Sequence, residues 1–157
     1  MNLFLTYLFA ASCGLQVKSF TVRGDSMSPL LKSAQEIRVS LDYYKCHQPV
    51  VGDIVIIKIT DDRNEIVKKV VGGPGDFFEY RNRNIYINKK ILKNSQGQAY
   101  ALDSKMLELY AKSYPTLPKD TYLVMGDNIS GTLDSSKFGM IDIRQITGKV
   151  LFKSPQN

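Results

Sequence analysis

Val50-Val51-Gly52-Asp53-Ile54-Val55-Ile56-Ile57-Lys58-Ile59 is the stretch whose reading decides the fold. From Ile54 onward it is almost unbroken apolar sequence, and most of it is branched at Cβ. Such side chains suit a pleated strand better than a helix, where their χ1 freedom is lost against the preceding turn. A run that is apolar on both faces is expected of a central strand covered above and below. Gly52-Asp53 marks a tight turn leading into it. On the far side Asp61-Asp62-Arg63-Asn64 reads as a polar hairpin turn, and Glu65 to Val71 as the returning strand.

Outward from this hairpin the same period continues. Upstream, Glu36-Ile37-Arg38-Val39-Ser40 alternates with Ile37 and Val39 on one face, and Val17 to Val22 alternates over a shorter stretch. Between them lies Arg23-Gly24-Asp25-Ser26-Met27-Ser28-Pro29-Leu30. Gly24 and Asp25 allow a sharp bend there, and Pro29 stops any regular element, so Ser26 is expected on a turn. Downstream, Gly72-Gly73-Pro74-Gly75-Asp76 must be a shaped loop. Phe77 to Tyr80 and Ile85 to Ile87 form a hairpin across Arg81-Asn82-Arg83-Asn84. Helix character is confined to Ala99–Tyr114, where Leu102, Met106, Leu109 and Tyr110 fall near 3.6 spacing and Pro115 and Pro118 follow. Tyr122 to Met125, Ile141 to Ile143 and Lys149 to Phe152 supply the last strands. The expectation is a mainly β, antiparallel domain over residues 18–157, with a small helical insertion at roughly 93–117.

At 157 residues, with 43% hydrophobic and 23% charged content, the chain fits one domain with a real core and is not a disordered one. The net charge of +6 is moderately basic. Its densest patch is Arg81, Arg83, Lys89, Lys90 and Lys93, with Asn and Tyr between, which is read as a solvated hairpin face rather than a nucleic-acid surface. The two cysteines supply no disulfide framework, and Cys46 beside His47 lacks metal-ligand spacing. No metal or organic cofactor is expected. Leu3 to Val17 is a mostly apolar run without charge, closed by Lys18. As a helix it would span roughly 22 Å, short of a bilayer core of roughly 30 Å. A short uncleaved anchor over residues 1–17, the apolar part of a secretory signal and a buried helix are all compatible with it; the anchor is favoured.

A serine nucleophile needs a base, since its free hydroxyl is almost fully protonated at neutral pH. His47 is the sole histidine and lies in Tyr43-Tyr44-Lys45-Cys46-His47-Gln48-Pro49, with no glycine-shaped scaffold around it. A lysine serves if burial holds it neutral, because apolar surroundings disfavour the charged amine. Lys68 and Lys69 both have apolar strand neighbours in Ile66-Val67-Lys68-Lys69-Val70-Val71. Alternation sends them to opposite faces, but both faces are equally apolar, so periodicity does not choose between them.

These segments resemble, together and in order, the conserved boxes of the type I signal peptidases, the membrane-bound Ser–Lys proteases. Gly24 to Leu30 is similar to the serine box, and Val51-Gly52-Asp53-Ile54-Val55 to the next. Val67 to Asp76 is similar to the lysine box, and Gly126-Asp127-Asn128 with Asp134-Ser135-Ser136-Lys137-Phe138-Gly139 to the last. The resemblance covers the chain from Thr21 to Gly148. It implies that Ser26 is the nucleophile, that Lys68 is the general base, that Thr132 supplies a hydroxyl to the lysine amine, and that Asp127 and Asp134 shape the site. The departures are Gly24, where some members carry an oxyanion-binding hydroxyl, Ser136, where an arginine is common, and Ile129-Ser130-Gly131 in an asparagine-rich stretch.

The function so implied is endopeptidase cleavage of N-terminal signal sequences from exported preproteins. Substrates would carry small residues of the Ala-X-Ala type before the cut and bind as an added strand. The protein would be monomeric and anchored in membrane lipid, its catalytic domain extracytoplasmic, with no nucleic-acid partner. Three other readings compete. They are a conjugative-transfer peptidase acting on pilin-like substrates, a LexA-like self-cleaving repressor, and an inactive membrane-anchored binding module. The repressors lack the Gly-Pro-Gly-Asp loop and carry a DNA-binding module for which this chain has no room.

Overall fold

The computed structural model describes residues 16–59 and 65–152. The expected anchor helix over 1–17 falls almost wholly outside these residues, as does the Asp61–Asn64 turn. In chain order the elements are β1 (Val17–Thr21), β2 (Glu36–Ser40), β3 (Ile54–Lys58), β4 (Glu65–Gly72), β5 (Phe78–Arg81), β6 (Asn84–Ile87) and β7 (Lys90–Ile91). They continue with α1 (Lys105–Ser113), β8 (Thr121–Met125), the short α2 (Ser135–Phe138), β9 (Ile141–Asp142) and β10 (Ile146–Leu151). A main sheet runs β1-β2-β10-β3-β4-β8-β9, and a small one runs β5-β6-β7. Every described pairing is antiparallel.

β3 is the central strand that its sequence implies. It is hydrogen-bonded to β10 on one side and β4 on the other. Val55 and Ile57 pack with Val70, Tyr122 and Val124, while Ile54 and Ile56 pack with Val22, Met27, Leu31 and Val39. Both faces are therefore covered, which is why no polar alternation is visible in the run.

The small sheet and α1 form a lobe whose core continues that of the main sheet. Phe78, Ile85, Tyr100, Leu107 and Leu117 pack against Val71, Leu123 and Met125. Asn82 and Arg83 take left-handed φ of 49° and 62°, which makes the β5–β6 connection a two-residue hairpin turn. The basic residues of this region stay at the surface, and Arg81 lies 4.4 Å over the Tyr86 ring.

The helix is shorter than its spacing implies. α1 begins only at Lys105, capped by Ser104, whose hydroxyl accepts from Leu107 N at 3.3 Å. Ala99 and Ala101 are extended, bridged to Lys93 and Asn84. Cys46 is disulfide-bonded, although the two cysteines suggest no disulfide framework. Among the described residues no helix is long and apolar enough to cross a membrane.

Candidate active site

The loop between β1 and β2 carries Ser26. Its base is closed by Val22 N donating to Gln35 O and Ala34 N to Val22 O, both at 2.9 Å. Gly24 turns the chain at φ +74°, a region that disfavours any side chain. Immediately after the serine, Met27 is 1% exposed, and Leu31 is equally buried. Burial of side chains this size contributes about 2 kcal/mol each and pins the turn from below. Ser26 is left half-buried above them.

Lys68, on β4 opposite Val55, brings its Nζ to 2.8 Å from Ser26 Oγ. The same Nζ donates to Val67 O at 2.9 Å. The lysine is 2% exposed, and that burial pulls its amine down from 10.5 to about 8, against the pull of the Asp134 carboxylate. Roughly a tenth of the amine is therefore neutral at pH 7, against far less for an ordinary lysine, and the neutral amine can accept the serine proton. Lys69 faces another partner, Asp127 Oδ1 at 3.2 Å.

The chain from Gly126 to Ser136 closes the site from the other side. Asn128 N donates to Ser26 O at 3.1 Å, and Asn128 Nδ2 to Asp25 O at 3.3 Å. Gly126 approaches so closely that a Cβ there would lie 2.5 Å from Ser26 O and 2.8 Å from Thr132 Cγ2. Asp127 is fully buried and accepts from Lys69, from Ser95 N at 2.9 Å and from the Ser95 hydroxyl. Burial alone would raise its carboxyl, but the Ser95 and Lys69 bonds outweigh it and hold it below the usual value.

Asp134 caps α2, accepting from Ser136 N at 3.0 Å, and also takes Gly126 N at 3.1 Å and the Thr132 hydroxyl. Thr132 thus donates to Asp134, while the hydrogen bonds of the Lys68 amine run to Ser26 and Val67. No ion pair among the described residues joins Lys137 to Asp134; backbone N–H groups and the Thr132 hydroxyl surround that carboxylate instead. Ser135 fastens α2 to β8, its Oγ accepting from Val124 N at 2.9 Å.

His47 is exposed, stacked on Tyr43 at 4.2 Å with Nδ1 2.9 Å from Tyr43 O, in a loop that contributes nothing to this cluster. Among the described residues no group of three or more His, Cys, Asp or Glu is placed to hold a metal ion.

A groove of about 600 Å³ leads away from Ser26, lined by Phe20, Val22, Ile37, Ile56, Ile66 and Val67 among others. The pairing of β4 with β8 begins at Lys69, so the Glu65–Lys68 stretch is paired on the β3 side only. An extended peptide in the groove would find both an open strand edge and walls of mixed polar and apolar character, with Ser19, Thr21, Arg23 and Glu65 beside the apolar residues.

Reasoning from the sequence missed Asn128 as a clamp on the serine turn, and missed Asn94, Ser95 and Tyr100 altogether. Only the Asn of Gly126-Asp127-Asn128 had a signal. The others lie 26 to 33 residues from the groups they bond, and Tyr100 had been placed on a helix.

The family model described as signal peptidase, peptidase S26, matches residues 1–154. Signal peptidase IB of Staphylococcus aureus is 35% identical over 149 residues, covering 87% of this chain and 77% of that protein. Signal peptidase I P of Bacillus subtilis subsp. natto is 32% identical over 136 residues, covering 82% and 72%. The crystal structure of a signal peptidase I from Enterococcus faecalis superposes with a TM-score of 0.52 at 28% identity, over 68% of this chain and 98% of that one.

Proposed function

This chain belongs to the signal peptidase family, peptidase S26, and is a serine peptidase that cleaves signal peptides; from that premise we propose that Ser26 is its nucleophile and Lys68 its general base. The observation that carries the assignment is the 2.8 Å approach of a buried, pKa-depressed amine to the Ser26 hydroxyl.

In the first step Ser26 Oγ attacks the scissile carbonyl carbon while its proton passes to neutral Lys68. With no hydroxyl at position 24, stabilisation of the developing oxyanion falls to the Ser26 backbone N–H. Collapse breaks the C–N bond, and Lys68 returns the proton to the leaving amine. A water, deprotonated by Lys68, then attacks the acyl-enzyme and releases the new carboxylate and Ser26. No step calls on a cofactor.

Asp134 and Asp127 act on this pair through others. Asp134 holds Gly126, Thr132 and α2 in place and tempers the depression of Lys68, and Asp127 anchors Lys69. Thr132 supports Asp134. The groove along Glu65–Val67 takes the residues before the cut as a strand, small side chains of the Ala-X-Ala type among them. The domain division follows the same reading, with residues 1–17 as anchor and 18–157 as a monomeric peptidase domain on the extracytoplasmic face.

Incubation of the full chain with a preprotein whose signal ends in Ala-X-Ala, followed by mapping of the new N-terminus, tests the assignment. Cleavage after that motif, abolished by Ser26→Ala, is expected. Wild-type turnover by Ser26→Ala would overturn the nucleophile, and cleavage elsewhere would overturn the substrate pattern.

A further inference from the structure

The small lobe reaches into the site from behind. Tyr100, 1% exposed, donates its hydroxyl to Gly126 O at 2.7 Å. Asn94 Nδ2 donates to Asp127 O at 3.1 Å, and Ser95 gives Asp127 its N–H and its hydroxyl. Farther along, Ser104 Oγ donates to Ser136 O at 2.9 Å. A single stretch of the lobe is thus laid along the segment that carries Gly126, Asp127 and Asp134.

Two of these acceptors, Gly126 O and Asp127 O, belong to the turn whose Gly126 and Asn128 meet the Ser26 carbonyl. Gly126 packs directly on Ser26 O, with no room for a methyl, and Asn128 N donates to that same oxygen. Ser26 is therefore held between Lys68 at its Oγ and the 126–128 turn at its carbonyl. That turn in turn rests on Tyr100 and Asn94.

The support is itself hydrogen-bonded. Asn94 Oδ1 accepts from Gln96 N at 3.0 Å and Gln98 N at 2.9 Å, and its Nδ2 also reaches Gln98 Oε1 at 3.0 Å. Burial pushes the Tyr100 phenol well above its ordinary value, so it stays a donor throughout the working range. Removing a donor would leave a buried carbonyl to find another partner, and the turn could satisfy it only by moving. Small misplacements of a nucleophile cost far more in rate than in stability.

We propose that the 94–100 loop of the small lobe positions the nucleophile, with Tyr100 and Asn94 as positioning residues that hold the Gly126–Asn128 turn against the Ser26 carbonyl. The lobe is then part of how the peptidase aligns its serine, beyond enlarging the core. The inference rests on the Ser26–Lys68 reading, and its test keeps the two apart.

The test measures kcat and KM separately on one preprotein, with thermal unfolding of each full-length variant. Tyr100→Phe keeps the ring in the core and removes only the hydroxyl. It is expected to lower kcat about tenfold or more with KM within about twofold, and to keep a pH midpoint near that of the wild type. Ser95→Ala, which leaves the core untouched, is expected to act in the same direction and carries the test should Tyr100→Phe not fold. Wild-type kcat in both variants overturns the proposal, as does a loss of kcat that merely follows a loss of folded protein. Ser26→Ala and Lys68→Ala are assayed alongside. If both are at background while Tyr100→Phe and Ser95→Ala are normal, the positioning role alone fails; if Ser26→Ala is active, the dyad reading fails and takes this one with it.

Discussion

Lys68 Nζ stands 2.8 Å from Ser26 Oγ, while the adjoining Lys69 is bound to Asp127 at 3.2 Å. Two neighbouring lysines are thus in opposite electrostatic settings. One is buried, with an uncharged hydroxyl and a carbonyl as hydrogen-bond partners, and is driven towards neutrality. The other pairs with the Asp127 carboxylate.

That difference predicts the pH dependence. Lys68 must be neutral to accept the proton, so the rate should rise with pH through about 8 and level off above it. Lys68→Ala should fall to background, since losing a general base typically costs ~10²–10⁴-fold. Lys69→Ala should be partly impaired, and His47→Ala nearly normal, as its ring stacks on Tyr43 away from the site. Rates for all three variants from about pH 6 to about pH 10 check this; an active Lys68→Ala with a dead His47→Ala would refute the Ser–Lys mechanism.

The same burial carries a stability cost of definite sign. The folded-state value lies below the unfolded one, so between about 8 and 10.5 the unfolded chain binds more protons and stability rises with pH. Below that window both states are protonated and the full cost is present. Lys68→Met, which removes the buried charge, should therefore be inactive but more stable at pH 7, by on the order of 3 kcal/mol. Urea unfolding of both proteins at pH 7 and pH 10 measures it; a gap that does not shrink at the higher pH would sink the argument.

Asp134→Asn should move the rate profile to lower pH, because the carboxylate now raises the Lys68 value against the effect of burial. The variant should also lose roughly 1–3 kcal/mol, since an amide nitrogen cannot accept from the N–H and hydroxyl groups that surround this position. An acid limb that stays in place in a folded variant would show that Asp134 acts on geometry alone.

Gly126→Ala tests the close approach itself. Its Cβ would meet the Ser26 carbonyl oxygen, a backbone atom with no rotamer to change, at 2.5 Å. Activity should fall by more than about tenfold even in the protein that remains folded. Full activity would mean that the 126–128 turn is free to move without disturbing the serine.

The sequence by itself determined most of the fold. The β-branched density of Ile54–Ile57 identified a central strand, and alternation in Glu36–Ser40 a half-covered one, because side-chain period and burial follow directly from strand geometry. The helix was overextended, since Leu102 shares the 3.6 spacing by accident and the bridges from Ala99 and Ala101 are long-range pairings with no local signature. For the site, the serine turn and its box order were legible, and the lysine pair was marked as one base and one bystander only by resemblance. Only the tertiary structure sets Ser26 against Lys68 and Asp127 against Lys69, a contrast on which the proposed roles rest. It also decided which groups Asn94 and Tyr100 bond, because a hydrogen bond between residues some thirty positions apart depends on how two lobes pack, and no local pattern records that.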